Sequence, residues 1–176
     1  DGVPRRFPDL RCAFLEGGVG WACSLYADLI GHWEKRGLGG LSHYDPANLD
    51  RPLIEALFES HGSERFKKHR DELEVGLRVL SEPQVAVDEF EAAGIEKPAD
   101  IVRQITRQCF FGCEADDPLA GLAFDRRRLP GGAALSPVFS SDVGHWDVAH
   151  MHEVLPEAHE HLEHGWMDRD QFRAFV

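Results

Sequence analysis

Three carboxylates stand where short apolar runs of this chain end. Glu16 closes the run from Leu10, Glu114 follows Gln108 to Cys113, and Asp142 follows Ser136 to Ser141. His145 lies three residues beyond Asp142. Carboxylates that converge repel one another unless they bind a cation or share protons, so such a set points to metal or acid–base chemistry. The three are not equivalent. Glu114, followed by Asp116 and Asp117, reads as one of a group of solvated loop charges. Glu16 precedes Gly17 and Gly18, which permit close approach of backbone or ligand. Asp142 is the strongest of the three, because an apolar strand delivers it straight to its end.

The histidines invite a metal reading of their own. His145, His150, His152, His159, His161 and His164 crowd one stretch, but without the H-E-x-x-H spacing of a compact zinc motif. On a helix, Leu155, Ala158, His159 and Leu162 would share the inward face, which leaves His161 and His164 elsewhere. The six therefore do not converge on one ion. Cys109 and Cys113 lack the second pair of a structural zinc knuckle. With Cys12 and Cys23 they read as reduced core cysteines.

Positioning these groups requires strands whose ends meet. Residues 10–16, 108–114 and 136–141 read as short strands, apolar on both faces as in a parallel sheet. The first is followed by Gly17-Gly18 and then by a helical period over 21–36, with Trp21, Leu25, Leu29 and Trp33 spaced by four and Tyr26 and Ile30 widening the stripe. Gly37, Gly39 and Gly40 stop that helix. The stretch from 38 to 98 is polar and rich in proline, and reads as a helical insertion with helices near 50–61 and 63–80. Asp50 before Arg51-Pro52 is a good N-cap. A helix may be expected to begin within 118–124, another runs over about 148–164, and Asp168 with Gln171 forms a capping box for a last one. Strand, helix, insertion, strand, helix, strand, helix is the order of a parallel α/β fold, with the three strands as parallel neighbours.

Composition narrows the function classes. The chain has 176 residues, 43% of them apolar and 28% charged, which is a globular composition. Lys plus Arg number 19 against 31 Asp plus Glu, for a net charge of −12. Duplex nucleic acid demands clustered basic residues, so nucleic-acid binding is not expected. No apolar stretch has the length of a membrane span, and no signal peptide is visible. Residue 1 is Asp, and the final run Phe172, Phe175, Val176 has no stop signal after it. Both ends are expected to continue in a longer protein.

Two segments carry a family resemblance. Phe7-Pro8-Asp9-Leu10-Arg11-Cys12-Ala13-Phe14-Leu15-Glu16-Gly17-Gly18-Val19-Gly20-Trp21 resembles the sixth-strand segment of the amidohydrolase-related family, the metal-dependent branch that includes aminocarboxymuconate semialdehyde decarboxylase. Val138-Phe139-Ser140-Ser141-Asp142-Val143-Gly144-His145-Trp146-Asp147 resembles its eighth-strand segment, and 108–117 its seventh. The resemblance implies that 1–176 is the C-terminal part, about strands six to eight, of a TIM-type (β/α)8 barrel, since a whole barrel takes about 250 residues.

It also implies a metal-dependent hydrolase in the intact protein, in which a divalent ion, zinc foremost, activates water against a carbonyl-type substrate. Of the family's metal ligands only the strand-eight aspartate maps here, onto Asp142, with His145 orienting it or contacting substrate and Glu16 as the third site residue. Many relatives place His-Gly-Gly where this chain has Glu16-Gly17-Gly18, which leaves the substrate class open. A non-oxidative decarboxylase of the same family and a non-catalytic α/β binding module with helices on both sheet faces are the alternatives. The chain alone is expected to bind no tight metal and to be inactive. Its expected partners are a small-molecule substrate and either further copies or the missing part of the barrel, in the cytoplasm.

Overall fold

The computed structural model describes residues 2–37, 41–43, 45–80, 88 and 90–176. The chain divides into two compact units, Asp1–Lys35 with Phe90–Val176, and Arg36–Glu89.

In the first unit, Pro4 opens a one-turn helix α1, Val3–Arg6, which leads to strand β1, Cys12–Phe14. Gly18 then turns the chain at φ 63 and donates its N–H to the Gly112 carbonyl at 3.0 Å. Helix α2, Gly20–Arg36, buries Ala22, Cys23, Tyr26 and Ile30. The inward stripe is therefore turned from the expected one: Leu29 and Trp33 pack partly against the core, whereas Trp21 and Leu25 are exposed. Small Ala22 and Cys23 let the helix approach closely, and the Tyr26 hydroxyl donates to the Pro130 carbonyl at 2.7 Å. The stop expected at Gly39-Gly40 lies outside the described residues.

Among its described residues, the second unit holds three α-helices: α3, Arg51–His61, α4, Glu64–Lys67, and α5, Arg70–Leu80. Asp50 caps α3 as expected, its carboxylate accepting the Leu53 N–H at 3.0 Å. The single helix expected over 63–80 is broken at 68–69. Ion pairs Arg51–Glu74 and Glu59–Arg70 set α3 and α5 antiparallel. These pairs are solvent-exposed, and such pairs contribute little to stability.

The first unit resumes at Phe90, within the stretch expected to belong to the insertion, with a 3-10 turn at Glu91–Ala93 followed by α6, Pro98–Gln108. Proline at a helix start is pre-organised rather than disruptive. Asp100 reaches back to accept the N–H groups of Glu96 at 3.1 Å and Lys97 at 3.2 Å. Burial alone would raise the Asp100 pKa, but those N–H groups and the Arg103 guanidinium outweigh it and hold the carboxyl below its usual range. Strand β2, Cys109–Cys113, follows without a break. Short 3-10 turns at Ala120–Phe124 and Pro130–Gly132 replace the helix expected near 118, and lead to β3, Pro137–Phe139. The chain then forms α7, Val154–Glu163, and α8, Arg169–Phe175. The expected capping box of Asp168 and Gln171 opens α8.

The three strands form one parallel sheet in the order β1-β2-β3, as expected. Cys12 pairs with Cys109, and Phe111 with Pro137. Side chains alternate between faces along a strand. Cys109, Phe111, Cys113 and Phe139 face a core shared with α2, α6, the 120–135 connection and α8. Ala13 and Val138 point to the opposite face and are exposed, and Leu15 beyond β1 is 71% exposed. All four cysteines are free. Burial pushes the Cys23 thiol up to about 11 and the Cys113 thiol up to about 12. Among the described residues, no helix is long and apolar enough to cross a membrane.

Candidate active site

The end of β3 is built by its own backbone. Ser140 continues the ladder past the strand, donating its N–H to the Cys113 carbonyl at 2.8 Å. Asp142 then adopts φ 49, in the left-handed region. The His145 N–H closes the turn on the Asp142 carbonyl at 3.0 Å. That turn brings His145 Nδ1 to 3.2 Å from Asp142 Oδ2. The carboxylate is 24% exposed and the imidazole 54%. The two residues singled out after the third strand thus form a pair, with the ring held beside the carboxylate through Nδ1 and its far nitrogen directed away from that contact.

Asp142 lines a cavity of about 300 Å³ at the ends of β2 and β3. Glu114, Asp116, Asp147, Glu157 and His150 line it too. The hydroxyl-bearing residues Ser140 and Ser141 complete its polar wall. Glu114 and Asp116 are exposed, as expected of solvated loop charges, and they border the same open cleft as Asp142. Neither Lys nor Arg lines this cavity. A negatively lined space favours cations and hydrogen-bond donors over carboxylates.

Glu16 is held differently. It too is left-handed, at φ 61, and it is exposed. It is absent from the lining of the Asp142 cavity. β2 lies between the two strands, and at about 4.8 Å per strand the ends of β1 and β3 are about 10 Å apart. The turn after Glu16 packs on β2 and its loop. A side chain on Gly112 would sit 3.2 Å from Leu15 Cα, and one on Gly18 would sit 2.8 Å from the Asp117 carboxylate. Glycine is favoured at both places, by close packing at Gly112 and by the φ of 63 at Gly18.

The helix α7 corrects the reading of the histidines. Ala158 faces inward as expected, but its buried companions are Val154 and His161 rather than Leu155, His159 and Leu162. Leu155 is exposed, and His159 is half-exposed beside Glu163 at 3.3 Å. His161 is fully buried, with edge-to-face contacts to Trp166 and Phe175. Its Nε2–H donates to the Ala115 carbonyl at 3.0 Å, and its Nδ1 has no partner among the described residues. A buried polar ring becomes acceptable when a carbonyl accepts its N–H. That carbonyl belongs to the turn that carries Glu114 and Asp116, so His161 braces one wall of the cavity from behind. Nothing in the sequence pairs residue 161 with residue 115, so helical spacing alone misplaced it.

Among the described residues, no three His, Cys, Asp or Glu side chains stand close enough to hold one ion. The chain was compared with profiles of known protein families, with curated proteins and with solved structures, and none of the three gave a match.

Proposed function

We propose that this chain is the C-terminal part, about strands six to eight, of a (β/α)8 metal-dependent hydrolase of the amidohydrolase superfamily, acting on a carbonyl-type substrate. The observation that carries this reading is Asp142: left-handed at the end of a parallel strand, paired with His145 at 3.2 Å and lining an open, polar cleft. Active sites of parallel α/β folds sit at that end of the sheet. The one-sided sheet supports it as well. Helices and turns pack on one face, and apolar Ala13 and Val138 are exposed on the other, as residues facing a barrel interior would be before its remaining strands close over them. A binding module with helices on both faces fits that exposure less well.

The donor set fits one ligand of a metal site. Asp142 offers a carboxylate oxygen, and the other ligands would come from strands outside this chain. A divalent ion such as zinc, when bound, supplies a water whose pKa is lowered to about 7 and polarises a carbonyl. Asp142 would hold the ion or accept the proton of the attacking water. His145, oriented through Nδ1, would present its other nitrogen to the substrate. Glu16 would contact the substrate from the β1 side. The carboxylate-rich lining favours hydrolysis of a neutral or cationic substrate over the decarboxylase alternative, whose substrate brings a negative charge of its own. The exposed sheet face and the two open edges call for the rest of the barrel or another copy as partner. Four free cysteines suit the reducing cytoplasm.

The test is a panel of amides and esters offered to the full-length protein before and after treatment with a chelator. Hydrolysis that is lost on chelation and restored by zinc is the expected result. Turnover that is indifferent to chelation, or absent on every substrate with zinc present, would remove the proposal.

A further inference from the structure

The opposite end of the sheet carries a second polar cavity, of reversed charge. Arg103 and Arg107 stand four residues apart on α6, hence on one helix face. Arg5 of α1 joins them around a cavity of about 250 Å³, with Gln104 in its lining and Pro4 and Pro8 as stiff walls. Among the described residues, no carboxylate lines it. Its position follows from the chain path: α1 leads into the start of β1 and Gln108 into the start of β2, whereas Asp142 follows the end of β3.

The local structure holds these arginines in place. Arg103 Nη2 lies 2.8 Å from Asp100 Oδ1, and the buried Asp100 is itself tied to two backbone N–H groups. One corner of the guanidinium is thereby fixed while its other donors remain available. The Arg5 side chain lies across Gly94, where a Cβ would collide with it. Gln108 Nε2 donates to the Phe7 carbonyl at 2.8 Å, which ties the segment after α1 to the end of α6. Among the described residues, neither Arg5 nor Arg107 has an ion-pair partner. Arg103 already has Asp100 as a counter-charge, whereas Arg5 and Arg107 are exposed and bring to the cavity positive charge that an anion would neutralise. Their planar forks match the oxygens of a phosphoryl group in bidentate fashion. The cavity is smaller than the roughly 300–1,000 Å³ of drug-sized sites, so it suits a small anionic group rather than a whole nucleotide.

We propose that this pocket binds a phosphoryl group, as free phosphate or as the end of a small phosphate monoester. The test is calorimetric titration of the full-length protein with inorganic phosphate and with glycerol 3-phosphate, sodium chloride keeping ionic strength constant. Saturable one-to-one binding is expected, weakened at least tenfold in the Arg103→Gln/Arg107→Gln double variant and also in Arg5→Gln, and unchanged in Asp142→Asn. Tighter binding of the monoester would identify the pocket as the anchor for a larger ligand, and equal binding would assign it to free phosphate. Arg5 makes no ion pair, so Arg5→Gln decides the matter if circular dichroism shows the double variant misfolded. Absence of saturable binding, or binding that both the double variant and Arg5→Gln leave unchanged, would overturn the assignment.

Discussion

The turn after β1 and the turn after β3 begin alike and end differently. Each carries a carboxylate in the left-handed region, Glu16 at φ 61 and Asp142 at φ 49. Non-glycine residues adopt that conformation at a cost of about 1–2 kcal/mol, less for Asp, whose short side chain can bond locally. At β1 the turn packs its glycines against β2 and leaves Glu16 in solvent. At β3 the turn folds His145 back onto Asp142 and seats the carboxylate in a cavity. The same strain thus accompanies two outcomes, and backbone conformation alone does not decide whether a carboxylate stands free in solvent or is paired beside a cleft. The neighbours that a turn recruits do.

The largest expected effect breaks the comparison at Asp142. On the proposed hydrolase reading, Asp142→Asn in the full-length protein keeps the shape but removes the charge, and hydrolysis should fall at least ~100-fold, the low end of what a general base contributes. A fully active Asp142→Asn enzyme with native circular dichroism would sink the central claim about the β3 turn. Behind the cavity, His161→Ala should cost about 2–4 kcal/mol, because it empties a filled core position and leaves the Ala115 carbonyl without its donor. Urea denaturation reads this directly, and a loss below about 1 kcal/mol would show that the brace is unimportant.

Smaller effects sharpen the contrast. Glu16→Gln should raise KM about tenfold with little change in kcat, the signature of lost ground-state binding. An equal fall in kcat and kcat/KM would instead put Glu16 in the transition state beside Asp142. Glu16→Gly, which relieves the left-handed strain, should raise the stability of the fold by about 0.5–1 kcal/mol. The smallest effect belongs to His159→Ala on the outer face of α7, within about 0.5 kcal/mol in stability and a few-fold in activity. A larger loss there would mean that the exposed side of α7 meets something beyond this chain.

The strands were legible because each is a short apolar run bounded by turn residues, and their parallel neighbourhood followed from the helices between them. Helix α6 was not, because Pro98 reads equally as the end of a loop and as a helix start, and the first turn around Asp100 decides between them. In α7 the spacing was right and the face was wrong. Burying His161 in place of His159 depends on the Ala115 carbonyl and on the rings of Trp166 and Phe175, none of which is visible in helical periodicity. At the site, the pair of Asp142 and His145 was legible as an i, i+3 spacing after a strand. The cavity was not, because Glu114, Asp147 and Glu157 come from three separate segments that meet only in three dimensions.

The register between β1 and β2 also has a consequence in time. Cys12 pairs with Cys109, so about a hundred residues of chain separate the first strand from its partner. At about 5–20 residues per second of synthesis, β1 leaves the ribosome roughly 5–20 s before β2 exists. Throughout that interval Phe14 and Leu15 have no sheet to join. The helical segment Arg36–Glu89 emerges within the same interval, and helices form in about a microsecond. Its early compaction shortens the span that β1 must close. A slowed ribosome, or a helical segment too weak to compact, would leave a bare apolar strand waiting longer among other nascent chains, and the first symptom would be aggregation during expression rather than any defect in the finished protein.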